Sequence, residues 1–498
     1  MRTGLTGLVL LSAIASSSAA LADPSALPRL GMDPGEPQVR SAPPSVPFGV
    51  PASSPSQYTL DFHGYLLLPL RLGLLERKAP GPGQSSTALH SPPLIPQNLR
   101  RFQYVGVVPD TWAQLNFTYG NSIISGTVIL AARALTDASG LYNPTEQLGA
   151  NDAFLTLNLT KPVGTPFQVR VGAMTGRYGS MGARDAGRYG TPLIARTNSI
   201  GESVTAGFDL SPDFKLALEQ GFGGQLGRPP RGLVPAGWNG FADPNVGASF
   251  VNHLHAGLGF RELVQLGLHY FTAFSQDDQV TATGAPDGRI SVLGADVHLN
   301  AGRGGHLYLG AQRTQARDAG TVAGVIEVLN ARGGPELIDE YLGPDSGGNG
   351  DLTVFGGQYD LSLARLAFGE LYQGKSPDVL LSFFGNGVSV KSDDKAFDGR
   401  LKLKGGAEAT YNIASWFGVS TRFDHVRPDT KNTREAFTVI SPRLLFHTDW
   451  QSRDELALQY SNFIYGSQVY PERGFPPQLD QSATPDHHVF SLSGTFWW

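Results

Sequence analysis

Cysteine is absent from all 498 residues. An exported fold built from this chain therefore has no disulfides and no cysteine-held metal. Methionine occurs only 4 times, and after the first 22 residues no apolar run reaches the length of about 18 residues that a membrane helix requires. Helical spans are thereby excluded. Charge of one sign is also lacking: the net charge is −5, too mild to imply nucleic acid or a strongly acidic partner. No internal sequence period is found, which argues against a soluble repeat array.

What is present begins with a leader. Arg2 gives Met1 to Ala22 a positive start, Gly4 to Ala15 are largely apolar, and Ala20-Leu21-Ala22 forms a small-x-small cleavage site. Residues 1–22 read as a secretory signal with no cysteine after it to carry a lipid anchor. Residues 23–57 hold nine prolines and little apolar periodicity, so they read as a disordered or polyproline-like arm, a spacer or a contact to the cell wall. Residues 58–498 are expected to form the folded body.

In that body apolar residues recur at a period of two, between clusters of Gly, Pro, Asn and Asp. Leu60, Phe62 and Leu66 oppose Asp61, His63 and Tyr65; Ala113, Leu115, Phe117 and Tyr119 oppose Trp112, Gln114, Asn116 and Thr118. Gly120-Asn121 marks a tight turn. Similar segments run to the last residue, including 363–371 among them, and give about nineteen candidates. An even-numbered barrel would use about 18, with 16 as the smaller solution. Short turns alternate with long links such as 175–200, 222–249 and 315–349, as in a barrel inserted in one direction. The expected fold is all-β, a transmembrane antiparallel β-barrel of the bacterial outer membrane with long external loops. Within 315–349, Val322 to Leu342 read as two short helical turns that cap or narrow a pore, or as a plain surface loop.

The last strand sharpens this reading. Phe490, Leu492, Phe496 and Trp498 share one face, expected to meet lipid and to serve assembly; Ser491, Ser493, Thr495 and Trp497 share the other. On the faces expected inward stand Arg133, Arg170, Lys215, Glu219, His253, His255, Arg261, Lys402, Lys404, Glu408, Arg422 and Asp424. Facing lipid, such charges would cost about 2–4 kcal/mol each near the midplane. Inward charge implies water, hence a channel for small hydrophilic solutes.

The densest basic stretch, Arg170, Arg177, Arg184, Asp185, Arg188, Tyr189 and Arg196, lies in or beside a long glycine-rich link. Folded inward it would narrow the pore and offer guanidinium donors to anions; left outside, it would meet lipopolysaccharide or a neighbouring subunit. His253 and His255 share a strand face but lack a third metal ligand. Asp345, Asn349 and Asp351 lack calcium-loop spacing. Asp424-His425 has no nearby nucleophile. Neither an enzyme, a cofactor nor a bound metal is expected.

Leu60-Asp61-Phe62-His63-Gly64-Tyr65, Asp110-Thr111-Trp112-Ala113-Gln114-Leu115 and the closing Phe496-Trp497-Trp498 resemble strands of the maltoporin-type, sugar-specific porins. The resemblance implies a homotrimer of 18-stranded barrels that passes sugars along an aromatic path, here Tyr65, Trp112 and Trp497. Two polar positions of that family differ, being Leu67 and Gln114 in this chain, and Ala183-Arg184-Asp185 resembles its constriction loop.

Overall fold

The computed structural model describes residues 57–74, 90–91, 105–106, 112–133, 148–177, 195–226, 248–261, 263–276, 287–322, 326–328, 341–369, 377–427, 429–430, 436–448, 454–465 and 487–497. The leader, the arm up to residue 56, Arg184, Asp185, Arg188, Tyr189 and Trp498 lie outside the described residues.

The body is one sheet of 19 strands. Setting aside the short strand Ile326–Val328 leaves eighteen, in chain order β1 Thr59–Leu74, β2 Trp112–Gly120, β3 Ile124–Arg133, β4 Leu148–Asn158, β5 Phe167–Arg177 and β6 Ala195–Asp209. There follow β7 Phe214–Leu226, β8 Ala248–Phe260, β9 Val264–Gln276, β10 Arg289–Asn300, β11 His306–Arg317 and β12 Gly350–Ser362. The last third comprises β13 Asp378–Ser392, β14 Leu401–Ala414, β15 Phe417–Arg427, β16 Phe437–His447, β17 Glu455–Tyr465 and β18 His487–Trp497. Each pairs antiparallel with its neighbours in sequence. The ring closes because β1 pairs with β18 on one side and β2 on the other. Closure leaves no edge of unpaired amides, which hydrocarbon could not satisfy.

Register sorts the side chains. Outward lie Leu155, Ile200 (70% exposed), Leu268, Leu293, Phe383 and Phe496; inward lie Ser203, Glu219, Asn386, Glu408, Ser441 and Ser493, all buried. Aromatic pairs mark both borders of the apolar band. At the short-turn end Tyr58 meets Tyr119 at 5.5 Å and Phe214 meets Phe260 at 4.7 Å. Toward the long links Phe222, Phe250 and Phe274 form a row with centroids 6.1 and 5.7 Å apart. The borders are separated by about eight to ten residues of tilted strand, roughly 20–25 Å, which matches the apolar height of an outer-membrane barrel.

Two expectations are corrected. Segment 363–371 is not a strand: Leu363–Phe368 is a short helix, α1, whose N-cap Ser362 accepts from the Arg365 amide at 3.0 Å. Of the helical turns expected in Val322–Leu342, Ile326–Val328 is instead a strand, because β-branched residues at both ends favour extended backbone and a partner edge is at hand. Residues 329–340 lie outside the described residues.

Candidate functional site: the inner wall of the barrel

The link between β11 and β12 turns inward. Tyr341 and Leu342 are wholly buried against inward Leu352, Val388 and Val390, together with Ala319 and Val322. The Ser392 hydroxyl donates to the Leu342 carbonyl at 2.5 Å. Lys402 Nζ lies 4.1 Å from the Tyr341 ring. Farther along the link, Ile326, Glu327 and Val328 pair with Thr197, Arg196 and Ala195 of β6. Strands β7 to β10 stand between β6 and β11 in the ring, so the described pieces of this link are anchored at two separated points of it. The link explains why inward residues of β8 to β13 near the long links, such as Val251, Phe271, Ile290, Val292 and Val354, are apolar: they are covered on the inside as well as the outside.

Deeper in the barrel the wall is polar and divides into two regions. On β14 to β17, Arg422 is fully buried and donates from Nε and Nη2 to both oxygens of Asp424 at 2.7 Å each. Arg443 Nη1 stands 3.3 Å from Glu408 Oε2, and its Nε donates to Gln459 at 2.7 Å. Phe384 underlies the Arg422 guanidinium at 4.7 Å. Lys402 and Lys404 share the inward parity and are buried. This region thus carries Arg422, Arg443, Lys402 and Lys404 against three buried carboxylates, Glu408, Asp424 and Glu455.

The facing region, on β7 to β10, is imidazole-rich. His255 stands opposite Glu219 on one side and His269 on the other. His253 Nε2 is 3.3 Å from Glu219, which also accepts from Ser203 at 3.2 Å and Thr205 at 3.4 Å. Three cross-strand glycines make room for these groups: a Cβ at Gly221 would overlap the His253 ring, at Gly294 the His269 ring, and at Gly267 the Asp296 carboxylate. The rings lie flat along the wall because their partners have no side chain. Toward the short turns, His298 stacks on Tyr308 with centroids 4.3 Å apart and approaches His306 at 3.2 Å. Among the described residues no group of three or more His, Asp or Glu is placed to hold a metal ion.

The expected aromatic path is placed by backbone register. Trp497, Tyr65 and Gln114 form one cross-strand row over β18, β1 and β2; Leu67, Trp112 and Arg133 form the next row of the same parity. Thus Tyr65, Trp112 and Trp497 occupy neighbouring positions on the parity of buried Ser493. Arg170, opposite buried Thr156, donates to Gln168 at 3.3 Å and stands 5.9 Å over the Phe154 ring.

Other residues depart from expectation. Arg261 is not on the lumen face: it ends the strand in the β8–β9 turn, at φ 51°, and pairs with exposed Asp213 at 2.8 and 3.1 Å. Arg177 stands opposite Arg196 on the outward parity of Val171 and Ile200, at the end of its hairpin. Asp424 is inward, whereas the next residue, His425, is outward and bonds Thr438 at 3.0 Å, so adjacency in sequence separates them in space. Phe490 and Phe496 are exposed outside, Leu492 is half-buried on the same face, and Ser491 and Ser493 are buried inside. Sequence reasoning missed Arg443, Gln459, His269 and Asp296. The signal for the last two was the cross-strand glycine, visible only once the register is known.

A closed antiparallel ring, apolar outside between two aromatic borders and charged within, defines this protein as an outer-membrane β-barrel. No family model and no curated protein matches the chain. Among solved structures it is similar to OccAB4 of Acinetobacter baumannii, with 9% identity over 89% of this chain and 100% of that one, TM-score 0.41. OpdK of Pseudomonas aeruginosa, solved with vanillate, shares 11% over 88% of this chain and 99% of that one, TM-score 0.40. OmpT of Vibrio cholerae, an outer membrane protein, shares 9% over 89% of this chain and 98% of that one, TM-score 0.37. Likenesses this loose carry no function, which is argued from the wall itself.

Proposed function

We propose that the barrel is a passive pore for small hydrophilic solutes, with a preference for carbohydrates. The observation that carries the pore is the inward parity of Glu219, Lys402, Lys404, Glu408, Arg422, Asp424 and Arg443, charges that a dry apolar core would not hold. Support for carbohydrate comes from Tyr65, Trp112 and Trp497 in adjacent register positions, since sugar ring faces stack on aromatics while hydroxyls exchange water for polar neighbours. Flux runs down a gradient and needs no chemical step. The homotrimer implied by the resemblance belongs to the same proposal and is tested by the mass of the detergent-solubilised protein.

Proteoliposomes in isotonic sugar swell if the pore passes sugar. Trp112→Ala should weaken oligosaccharide block of the current by about 1 kcal/mol, the scale of one aromatic contact. An unchanged block removes Trp112 from the path, and no swelling from folded protein rejects the pore.

A second reading, an anion-preferring pore, is favoured by the four basic side chains that stand with three carboxylates on β14 to β17. Reversal potential in a salt gradient separates the two. Anion selectivity that falls in Lys404→Gln supports the second; a near-zero potential in the native protein rejects it.

A further inference from the structure

The outer face carries one region that lipid tails alone do not account for. Following the hydrogen-bonded row of the upper aromatic border, Phe250 is opposite Phe274, Phe274 opposite Arg289, and Arg289 opposite Arg317. At one level of the wall the border therefore changes from aromatic to cationic. The row beneath contains Ser291, Gln315, Asp351 and Lys391, and the next contains Arg313 opposite Thr353. Arg289, Arg313, Arg317 and Lys391 are all exposed. Arg313 and Arg317 share one carboxylate, Asp351, at 3.0 and 3.5 Å. Arg289 lies along the wall, donating to Thr272, Ser291 and the Tyr270 hydroxyl at 3.2, 3.2 and 3.4 Å.

The two rows directly below are apolar, with small residues among them. Ala295, Val297, Leu309, Ala311, Phe355, Gly357, Gly385 and Leu403, all of outward parity, line a groove of about 670 Å³ together with their strand neighbours Gly310, Gly356, Asn386 and Lys404, and glycine and alanine leave its depth.

We infer that this face is a docking surface for a phosphorylated glycolipid of the outer leaflet. Guanidinium and ammonium groups at headgroup level take the phosphate, and the groove beneath takes an acyl chain. Charge complementarity selects this occupant: arginine forks match phosphate oxygens in paired hydrogen bonds, and exposed cations at this height face the polar border rather than hydrocarbon. The vertical order, cations above and groove below, repeats the order of head and tail in such a lipid. The inference rests on the barrel spanning the membrane and is independent of what crosses the pore.

The test uses the full folded protein in detergent, titrated with lipid A and followed by native mass spectrometry. Retention is compared with enzymatically dephosphorylated lipid A, with phosphatidylglycerol and with inorganic phosphate as competitor. The native protein should hold lipid A at least tenfold more tightly than its dephosphorylated form. The triple variant R289Q/R313Q/R317Q should lose that preference, and Ala311→Phe, which fills the groove with the cations intact, should weaken binding of both forms. Unchanged channel conductance in these variants, whose altered positions face away from the lumen, certifies folding. Equal retention of the two lipid forms by native protein overturns the inference, as does a preference that survives in the triple variant. Displacement by millimolar phosphate alone, with no contribution from Ala311, overturns the groove. Loss of self-association in the triple variant without any change in lipid retention assigns the face to a second copy instead and also overturns it.

Discussion

Replacing Arg422 by methionine tests the buried network of the inner wall most sharply. The guanidinium is fully buried, donates two 2.7 Å hydrogen bonds to Asp424, stands 3.9 Å from Glu408 and covers the Phe384 ring. A hydrogen bond to a charged group contributes about 1.5–3 kcal/mol, and removing one partner of a buried pair costs about 3–5 kcal/mol because a carboxylate is left behind. Arg443, 3.3 Å from Glu408, keeps that carboxylate compensated, so the expected loss lies near the lower figure, about 3 kcal/mol. Arg422→Lys retains the charge without the fork and should lose about half as much. The double variant Arg422→Met/Asp424→Leu should recover most of the loss, since an apolar pair of similar volume replaces a buried ion pair at little cost. Urea unfolding in detergent micelles, followed by tryptophan fluorescence and extrapolated linearly, measures all three. An Arg422→Met barrel within about 1 kcal/mol of native stability would refute the reasoning, because a partner left buried cannot be that cheap.

Parity divides the closing aromatics: Trp498→Ala should impair assembly, scored by the heat-modifiable band on gels, while Trp497→Ala should assemble and alter solute binding; equal assembly defects would merge the two roles. Gly294→Val should destabilise by about 1–3 kcal/mol through overlap with His269, and His269→Ala should restore most of it; no rescue would mean the glycine is needed for another reason. At the turns, hydrogen bonds from Arg261 hold the exposed Asp213 carboxyl below its ordinary value of 3.8. The contribution of that pair is therefore present above pH 3.8 and lost as pH falls through the depressed value, so the stability difference between native protein and Asp213→Asn should shrink in acid and stay constant at higher pH. A difference that grows in acid would contradict the sign.

The ring was largely legible from alternation, because a wall with lipid on one side and charge on the other forces period two on strand after strand. Eighteen of the segments read as strands are strands. The seventh-from-last candidate, 363–371, failed because six residues are too few to separate period two from a helical turn. Lumen residues were legible where the opposite face is plainly apolar, as for Glu408 and Asp424. They were hidden where both faces are apolar: on β16, Arg443 is followed by Leu444 and Leu445, one on each face, and its inward parity shows only against Gln459. Pairs such as His269 with Gly294 depend on long-range register, which one sequence does not display. Apolar residues in 322–342 read as helical turns, whereas Ile326–Val328 form a strand whose partner on β6 the sequence did not display.

The central claim is that charge inside a closed ring means a water path through the membrane. Single-channel recording of the purified, folded barrel in a planar bilayer tests it most directly. The account predicts discrete, uniform conductance steps whose size rises when Glu327→Pro releases Ile326–Val328 from β6. Folded barrel that inserts and shows no steps, in native form and in Glu327→Pro alike, would contradict it.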